Sequence, residues 1–139
     1  YSEGSFIATC GLDCKVNIWS ETSVNKWEKV FTHEDKDQSS KVFLIEVNFV
    51  RFSPPSYGLR LACCTAKGNI IILSYLDGRW DNAIVKRELA HANSINCICW
   101  APQGNDLHDN PTYPIICTAS CDKTIKLFVC KEGTTLGFI

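Results

Sequence analysis

Three residues in the second half of the chain have the side-chain types of a hydrolytic triad: His91, Ser120 and Asp122. In such a triad the serine attacks, the histidine takes its proton and the aspartate orients the histidine. A catalytic serine also needs a strained, exposed turn and an oxyanion hole, and the sequence indicates neither around Ser120. We therefore interpret the three residues as a structural hydrogen-bond network and predict no enzyme activity.

Nine cysteines offer a second kind of chemistry. Their number is odd and no C-x-x-C pair occurs, which argues against a disulfide framework and for a reducing compartment. Cys10/Cys14 and Cys117/Cys121 share a four-residue spacing that zinc ligands could use. The repeat alignment given below pairs Cys10 with Ala119, so the two pairs occupy different places in their repeats. Buried, reduced thiols are the preferred interpretation, and no metal or other cofactor is predicted.

Two polar segments mix histidine with carboxylates, His33-Glu34-Asp35 and Asp106-Leu107-His108-Asp109. Turn-forming residues surround both, so solvated loops are favoured over metal sites.

Length and composition describe one globular domain. The chain has 139 residues, 45% of them hydrophobic and 21% charged, with a net charge of −1. The absence of a basic stripe argues against nucleic acid as a partner. No apolar run approaches the roughly 20 residues that span a bilayer, and no signal-peptide pattern opens the chain. Because it begins at Tyr1 and contains no methionine, we expect it to be an internal piece of a longer protein.

The elements that must position these residues repeat along the chain. Segments 7–19, 61–73 and 116–128 align without gaps and begin 54 and 55 residues apart. Each predicts two strands around a tight turn, and Asp13 in the first copy matches Asp122 in the third. A second element, 47–54, matches 95–102 in the same order, and an aromatic-led segment follows the first two strand pairs at Trp27 and Trp80.

Each repeat unit therefore predicts four short strands, which is typical of propeller blades. We predict strands near 6–11, 15–19, 26–32, 43–52, 60–65, 69–74, 80–89, 94–100, 115–120 and 124–129. The predicted fold class is an all-β WD-repeat propeller of four-stranded antiparallel blades, present in part. Residues 1–139 form a single partial propeller, with a blade part at 1–32 and blades at 41–89 and 94–139. Propellers close with about 4–8 blades, so the missing blades must come from elsewhere.

More specific motifs give a family resemblance. They are LDCKVNIW (12–19), WEK (27–29), YGLRLAC (57–63), GNI (68–70), LSYLDGRW (73–80), AH (90–91), WAP (100–102) and CDKTIKL (121–127). Together they resemble the Sec-thirteen family, the WD-repeat subunits of the outer cage of the COPII coat. The resemblance covers nearly the whole chain, from about the second blade into the fourth.

This resemblance implies a six-bladed propeller that is left open, so that a partner subunit closes it by inserting a blade. The implied partners are the α-solenoid coat subunit, a nuclear-pore scaffold subunit and a lysosome-associated signalling assembly. The implied function is a non-enzymatic scaffold for transport from the endoplasmic reticulum to the Golgi. It would act on the cytosolic face of the endoplasmic reticulum and on COPII vesicles, and also at the nuclear pore, with no small-molecule substrate.

The chain also departs from the family pattern. Among WD repeats, His91, Ser120 and Asp122 would join a network that ends on a tryptophan, and Phe128 stands in its place. In the middle repeat, Lys67 stands where the other two repeats have an aspartate, and Leu73 stands where they have an aromatic residue. Segment 41–46 is longer than in the family, and 133–139 does not resemble a fourth-blade outer strand. The alternative function is a peptide-binding WD propeller, such as a ubiquitin-ligase substrate receptor or a chromatin reader.

Overall fold

The computed structural model of the protein describes residues 5–34, 45–102, 113–131 and 136–138. These residues form eleven β-strands and one short 3-10 helix at Pro55–Tyr57. The all-β fold class predicted from the sequence is confirmed. None of the helical structure in these ranges is long and apolar enough to cross a membrane.

The strands form three antiparallel sheets in which strands adjacent in the chain are hydrogen-bonded neighbours. The first sheet contains β1 (Phe6–Cys10), β2 (Lys15–Ser23) and β3 (Lys26–Glu34). The second contains β4 (Val47–Phe52), β5 (Arg60–Thr65), β6 (Ile70–Leu76) and β7 (Arg79–Arg87). The third contains β8 (Ile95–Trp100), β9 (Ile115–Ser120), β10 (Ile125–Cys130) and β11 (Leu136–Phe138).

The strand predictions hold with shifted ends. The strand predicted over 43–52 begins at Val47, and residues 43–44 lie outside the described ranges. β2 continues to Ser23, four residues beyond the predicted end. The outer strand β11 was not predicted, because contacts from the neighbouring sheet and not a local pattern fix it. Arg87 Nη1 donates to the carbonyl oxygen of Leu136 at 2.6 Å, and Leu136 is buried.

The three central hairpins use the same turn. Cys14, Gly68 and Lys123 occupy the aligned position in the three repeats, and all three have a left-handed backbone with φ of 62°, 81° and 68°. In each turn, the amide of this residue donates to the carbonyl oxygen three residues earlier at 3.2 Å. The repeat seen in the sequence is therefore a repeat of backbone conformation.

Two apolar cores join the sheets. Val16 and Ile18 of the first sheet pack with Leu61, Leu73 and Trp80 of the second. The opposite face of the second sheet packs on the third through a larger set: Ala62, Cys64, Ile70, Ile72, Ile98, Trp100, Ile116 and Phe128. Strand β4 contacts both β1 and β8, so these three strands lie on the same side of the stack.

The outer faces of the stack remain uncovered. Ile125 is 74% exposed on the third sheet, and Ile7 is 45% exposed on the first. Stacked antiparallel sheets, one of three strands and two of four, that do not close on themselves are a partial propeller, as the repeat predicted.

Candidate functional site

The polar network predicted from the sequence lies between the second and third sheets. His91 follows β7 in the loop that leads to the third sheet, and its side chain is fully buried. Its backbone amide donates to the carbonyl oxygen of Gly68 at 3.1 Å, which ties the loop to the central turn of the second sheet. The ring then contacts Asp122 through Nδ1 at 2.8 Å and Thr118 Oγ1 through Nε2 at 2.7 Å. Because a carboxylate only accepts, Nδ1 is the donor toward Asp122.

Asp122 is held in the turn between β9 and β10 by four donors. The Thr124 hydroxyl donates to it at 2.6 Å and the Thr124 amide at 2.9 Å, while the Ala92 amide and His91 donate from the facing loop. The Thr124 hydroxyl, helped by His91 and the two amides, holds the pKa of Asp122 well below its usual range, although burial opposes this shift. Asp122 is therefore an anion that locks the loop onto the third sheet.

Ser120 reaches this network through the backbone. Its hydroxyl donates to the carbonyl oxygen of Ser94 at 2.8 Å and accepts from the amide of Asp122 at 3.1 Å. The hydroxyl that contacts the histidine ring belongs to Thr118, two residues earlier on the same face of β9. Sequence reasoning missed Thr118, although its alignment with Thr9 offered a signal.

The first repeat shows a matching fragment of the network. Trp19 Nε1 donates to Thr9 Oγ1 at 3.4 Å, and Phe128 at the aligned position of the third repeat has no such donor. Asp13 accepts a hydrogen bond from the Lys15 amide at 3.2 Å. The equivalent bond in the third repeat runs from the Thr124 amide to Asp122. Thus Asp13 holds its turn as Asp122 does.

This geometry favours a structural role for the network. The ring nitrogens of His91 are engaged by Asp122 and Thr118, and the Ser120 hydroxyl points its proton to a backbone carbonyl. Proton transfer from Ser120 to His91 would require the direct contact that a hydrolytic triad uses. A structural network of His91, Thr118 and Asp122 is consistent with all of these bonds.

The cysteines sit in different surroundings. Cys63, Cys64 and Cys130 are buried, and burial raises the pKa of Cys64 to about 12, which keeps it a thiol. Within the described ranges, no group of three or more histidine, cysteine and acidic side chains could hold a metal. His33 pairs with Val16 at the end of β3, and the segment 106–109 lies outside the described residues. That the thiols are structural stays a prediction.

Comparison with known proteins adds independent evidence. The family described as "WD domain, G-beta repeat" matches residues 1–20 and 84–128. The chain is 34% identical over 101 residues to "Protein SEC13 homolog" of Drosophila melanogaster, covering 71% of this chain and 26% of that protein. It is 30% identical over 119 residues to "Protein transport protein sec13" of Aspergillus fumigatus, covering 78% and 36%. It is also 34% identical over 99 residues to "Protein transport protein SEC13-2" of Candida glabrata, covering 70% and 30%.

The chain thus spans only about a quarter to a third of the length of these relatives. On these grounds, the chain belongs to the Sec-thirteen family of WD-repeat proteins, the family of the SEC13 relatives.

Proposed function

We propose that this chain is part of a scaffold subunit in protein transport, and more specifically of the outer cage of the COPII vesicle coat between the endoplasmic reticulum and the Golgi. The observation that carries the proposal is the similarity to relatives that are named as protein transport proteins. The proposed role is mechanical and not enzymatic, because the residues that resemble a catalytic set are engaged in structural bonds.

A scaffold must resist deformation, and the contacts between sheets supply that stiffness. Besides the two apolar cores, Trp100 Nε1 of the third sheet donates to the Arg51 carbonyl oxygen of the second at 3.0 Å. Asn48 Nδ2 donates across the same boundary to Ser94 Oγ and the Ile95 carbonyl oxygen, each at 2.8 Å. Close-packed interiors joined by satisfied polar bonds have low compressibility, as a rod under mechanical force requires.

The partners proposed are proteins. An α-solenoid outer-coat subunit would close the propeller by inserting a blade, which is strand addition at an open sheet edge. Nuclear-pore and lysosomal signalling scaffolds are further proposed partners. The proposed locations are the cytosolic face of the endoplasmic reticulum, COPII vesicles and the nuclear pore. We propose no cofactor, nucleic acid or small-molecule substrate.

Affinity purification of the full-length protein from its own cells tests the proposal against a peptide-reading propeller. We expect an α-solenoid protein in near-equal amount, and release of the full-length protein with vesicles that bud from microsomes. Recovery of a ubiquitin-ligase adaptor or of modified chromatin peptides, without an α-solenoid protein, would contradict the coat assignment.

A further inference from the structure

Two crevices flank the second sheet at equivalent places in the repeat. One, of about 360 Å³, lies between the first and second sheets, and the other, of about 310 Å³, lies between the second and third. We call them the aromatic crevice and the basic crevice. Aligned repeat positions line both: Phe6 and Arg60, Ser20 and Ser74, Phe31 and Val85, and Tyr75 and Cys130. Tyr75 lines both crevices and separates them.

Aromatic rings line the aromatic crevice, and one of them carries a buried hydrogen-bond donor without a partner among the described residues. Phe6 and Tyr75 pack against Trp80 with ring centroids 5.8 Å and 5.2 Å away, and Phe31 also lines the space. Trp80 is 3% exposed, and its indole Nε1 has no hydrogen-bond partner among the residues that the structure describes. A buried donor without a partner costs free energy, which an incoming acceptor would recover.

The basic crevice has a different character from its aligned counterpart. Arg60 and Lys131 line it together with apolar side chains such as Leu59, Ile72 and Val85. Arg79 is a third basic residue, and it lines the aromatic crevice; among the residues that the structure describes, the lining of both crevices holds basic side chains and no carboxylate. These basic side chains favour a ligand with negative charge.

We propose that the two crevices form one docking surface for an extended, acidic, proline-containing segment of a partner protein. The proline ring packs on Tyr75 and Trp80, and a neighbouring backbone carbonyl of the segment accepts from the Trp80 indole. Aromatic-lined grooves select proline because the polyproline II conformation is preformed and costs little entropy to bind. A carboxylate of the same segment then pairs with Arg60 and Lys131.

The spacing of the two anchors follows from the stacking of the sheets. Packed sheets lie roughly 10 Å apart, so neighbouring crevices are separated by about that distance. A polyproline II segment rises about 3.1 Å per residue, so about three residues span it. The expected recognition pattern is a proline followed by an acidic residue at the third position after it.

An array of immobilised synthetic peptides with the core Pro-x-x-Glu, probed with the full-length protein, tests this surface. Matched peptides carry Ala-x-x-Glu and Pro-x-x-Lys cores. We expect binding to a subset of the Pro-x-x-Glu peptides and about fivefold or greater loss with either matched core, since each anchor contributes about 1 kcal/mol. The best peptide, labelled with fluorescein, then gives dissociation constants by anisotropy.

Three variants separate this surface from general electrostatic attraction. Trp80→Phe keeps the ring but removes the N–H, and Lys131→Glu reverses the charge at the basic crevice. Lys123→Glu is the control, because it makes the same charge change in an exposed turn at the other end of β10. We expect about fivefold weaker binding with Trp80→Phe, about tenfold with Lys131→Glu and less than twofold with Lys123→Glu.

The proposal is overturned if no array peptide binds, if Ala-x-x-Glu peptides bind as well as Pro-x-x-Glu peptides, or if the two lysine variants behave alike. Because Lys131 is exposed, Lys131→Glu keeps the test decisive even if Trp80→Phe lowers stability. None of these outcomes depends on the role in vesicle transport, since that role is tested by the purification described above.

Discussion

Gly68 is a residue at which the second sheet lies close to the loop that leads to the third sheet. Its φ of +81° lies in the left-handed region, which the aligned Cys14 and Lys123 also adopt. What distinguishes Gly68 is space, because a Cβ there would lie 2.2 Å from the His91 carbonyl oxygen and 2.9 Å from that of Asn93. Both obstacles are backbone atoms, so no side-chain rotation relieves the overlap.

We expect Gly68→Ala to destabilise the full-length protein by about 3 kcal/mol or more, because the loop that carries His91 must move. Gly78→Ala is the matched control. Gly78 also has a positive φ, of +77°, and the atom nearest to a Cβ there is the Tyr75 hydroxyl oxygen, 4.0 Å away. The control should therefore cost only the backbone strain of about 1 kcal/mol. Urea unfolding midpoints give both values, and equal losses would mean that close approach to His91 is unimportant.

Asp122 makes stability depend on pH in a defined direction. Its donors hold its folded pKa below the value of about 3.9 that an unfolded aspartate has. Between these two values the unfolded chain binds more protons, so the contribution of Asp122 is complete above about pH 5 and decreases as the pH falls. We expect the stability difference between the natural protein and Asp122→Asn to shrink from pH 6 to pH 3.

Urea unfolding of both proteins at each pH measures this difference, and titrating groups that do not contact Asp122 cancel in the comparison. A difference that stays constant or grows as the pH falls would show that the carboxylate of Asp122 is not stabilised by its donors.

At the scale of elements, an asparagine side chain joins β4 to the start of β8. The aligned position in the next repeat also holds an asparagine. Asn48 of β4 donates to Ser94 Oγ and to the Ile95 carbonyl oxygen at the start of β8. The aligned Asn96 of β8 bonds Ser94 and Cys121, which belong to its own sheet region. The first asparagine therefore connects two sheets, whereas the second stabilises one.

We expect Asn48→Asp to cost about 1–3 kcal/mol, because a carboxylate cannot donate to the Ile95 carbonyl oxygen, and the Ser94 hydroxyl could donate to it only by giving up its bond to Asn96. Asn96→Asp makes the same change at the aligned position, where it removes only the weaker bond to a thiol, and should cost less. Thermal unfolding of the full-length variants ranks the two, and a larger loss for Asn96→Asp would contradict the role of Asn48 as the connector.

The strands and their turns could be predicted because their signals are local. Alternating residues and Asp122 in the turn are sufficient for β9, β10 and the hairpin between them. The hydroxyl that contacts the His91 ring could not be predicted in the same way. Thr118 and Ser120 share one face of β9, and the pattern gives the face but not the depth, which changes by about 7 Å over two residues. Strand β11 was missed for a similar reason, since its position depends on Arg87 of the neighbouring sheet.

At the scale of the whole molecule, the third sheet presents an uncovered apolar face. Ile125 and Leu127 of β10 are 74% and 43% exposed, while the next residue, Phe128, is fully buried on the opposite face. The second sheet, by comparison, buries both of its faces in the two cores. If the proposed propeller is right, a further sheet covers Ile125 in the full-length protein as the third sheet covers Ile72.

This expectation can be tested with two variants that look alike in the present chain. Leu12 is 80% exposed in the turn between β1 and β2, so Leu12→Asp and Ile125→Asp both place a charge where a highly exposed aliphatic residue stands. In the full-length protein we expect Ile125→Asp to cost about 3 kcal/mol or more, because the carboxylate would be buried between sheets without a partner. Leu12→Asp should stay within about 0.5 kcal/mol, as is usual for surface changes. Equal, small effects on urea unfolding would mean that the face of the third sheet remains open to solvent, and that the arc of sheets does not continue past it.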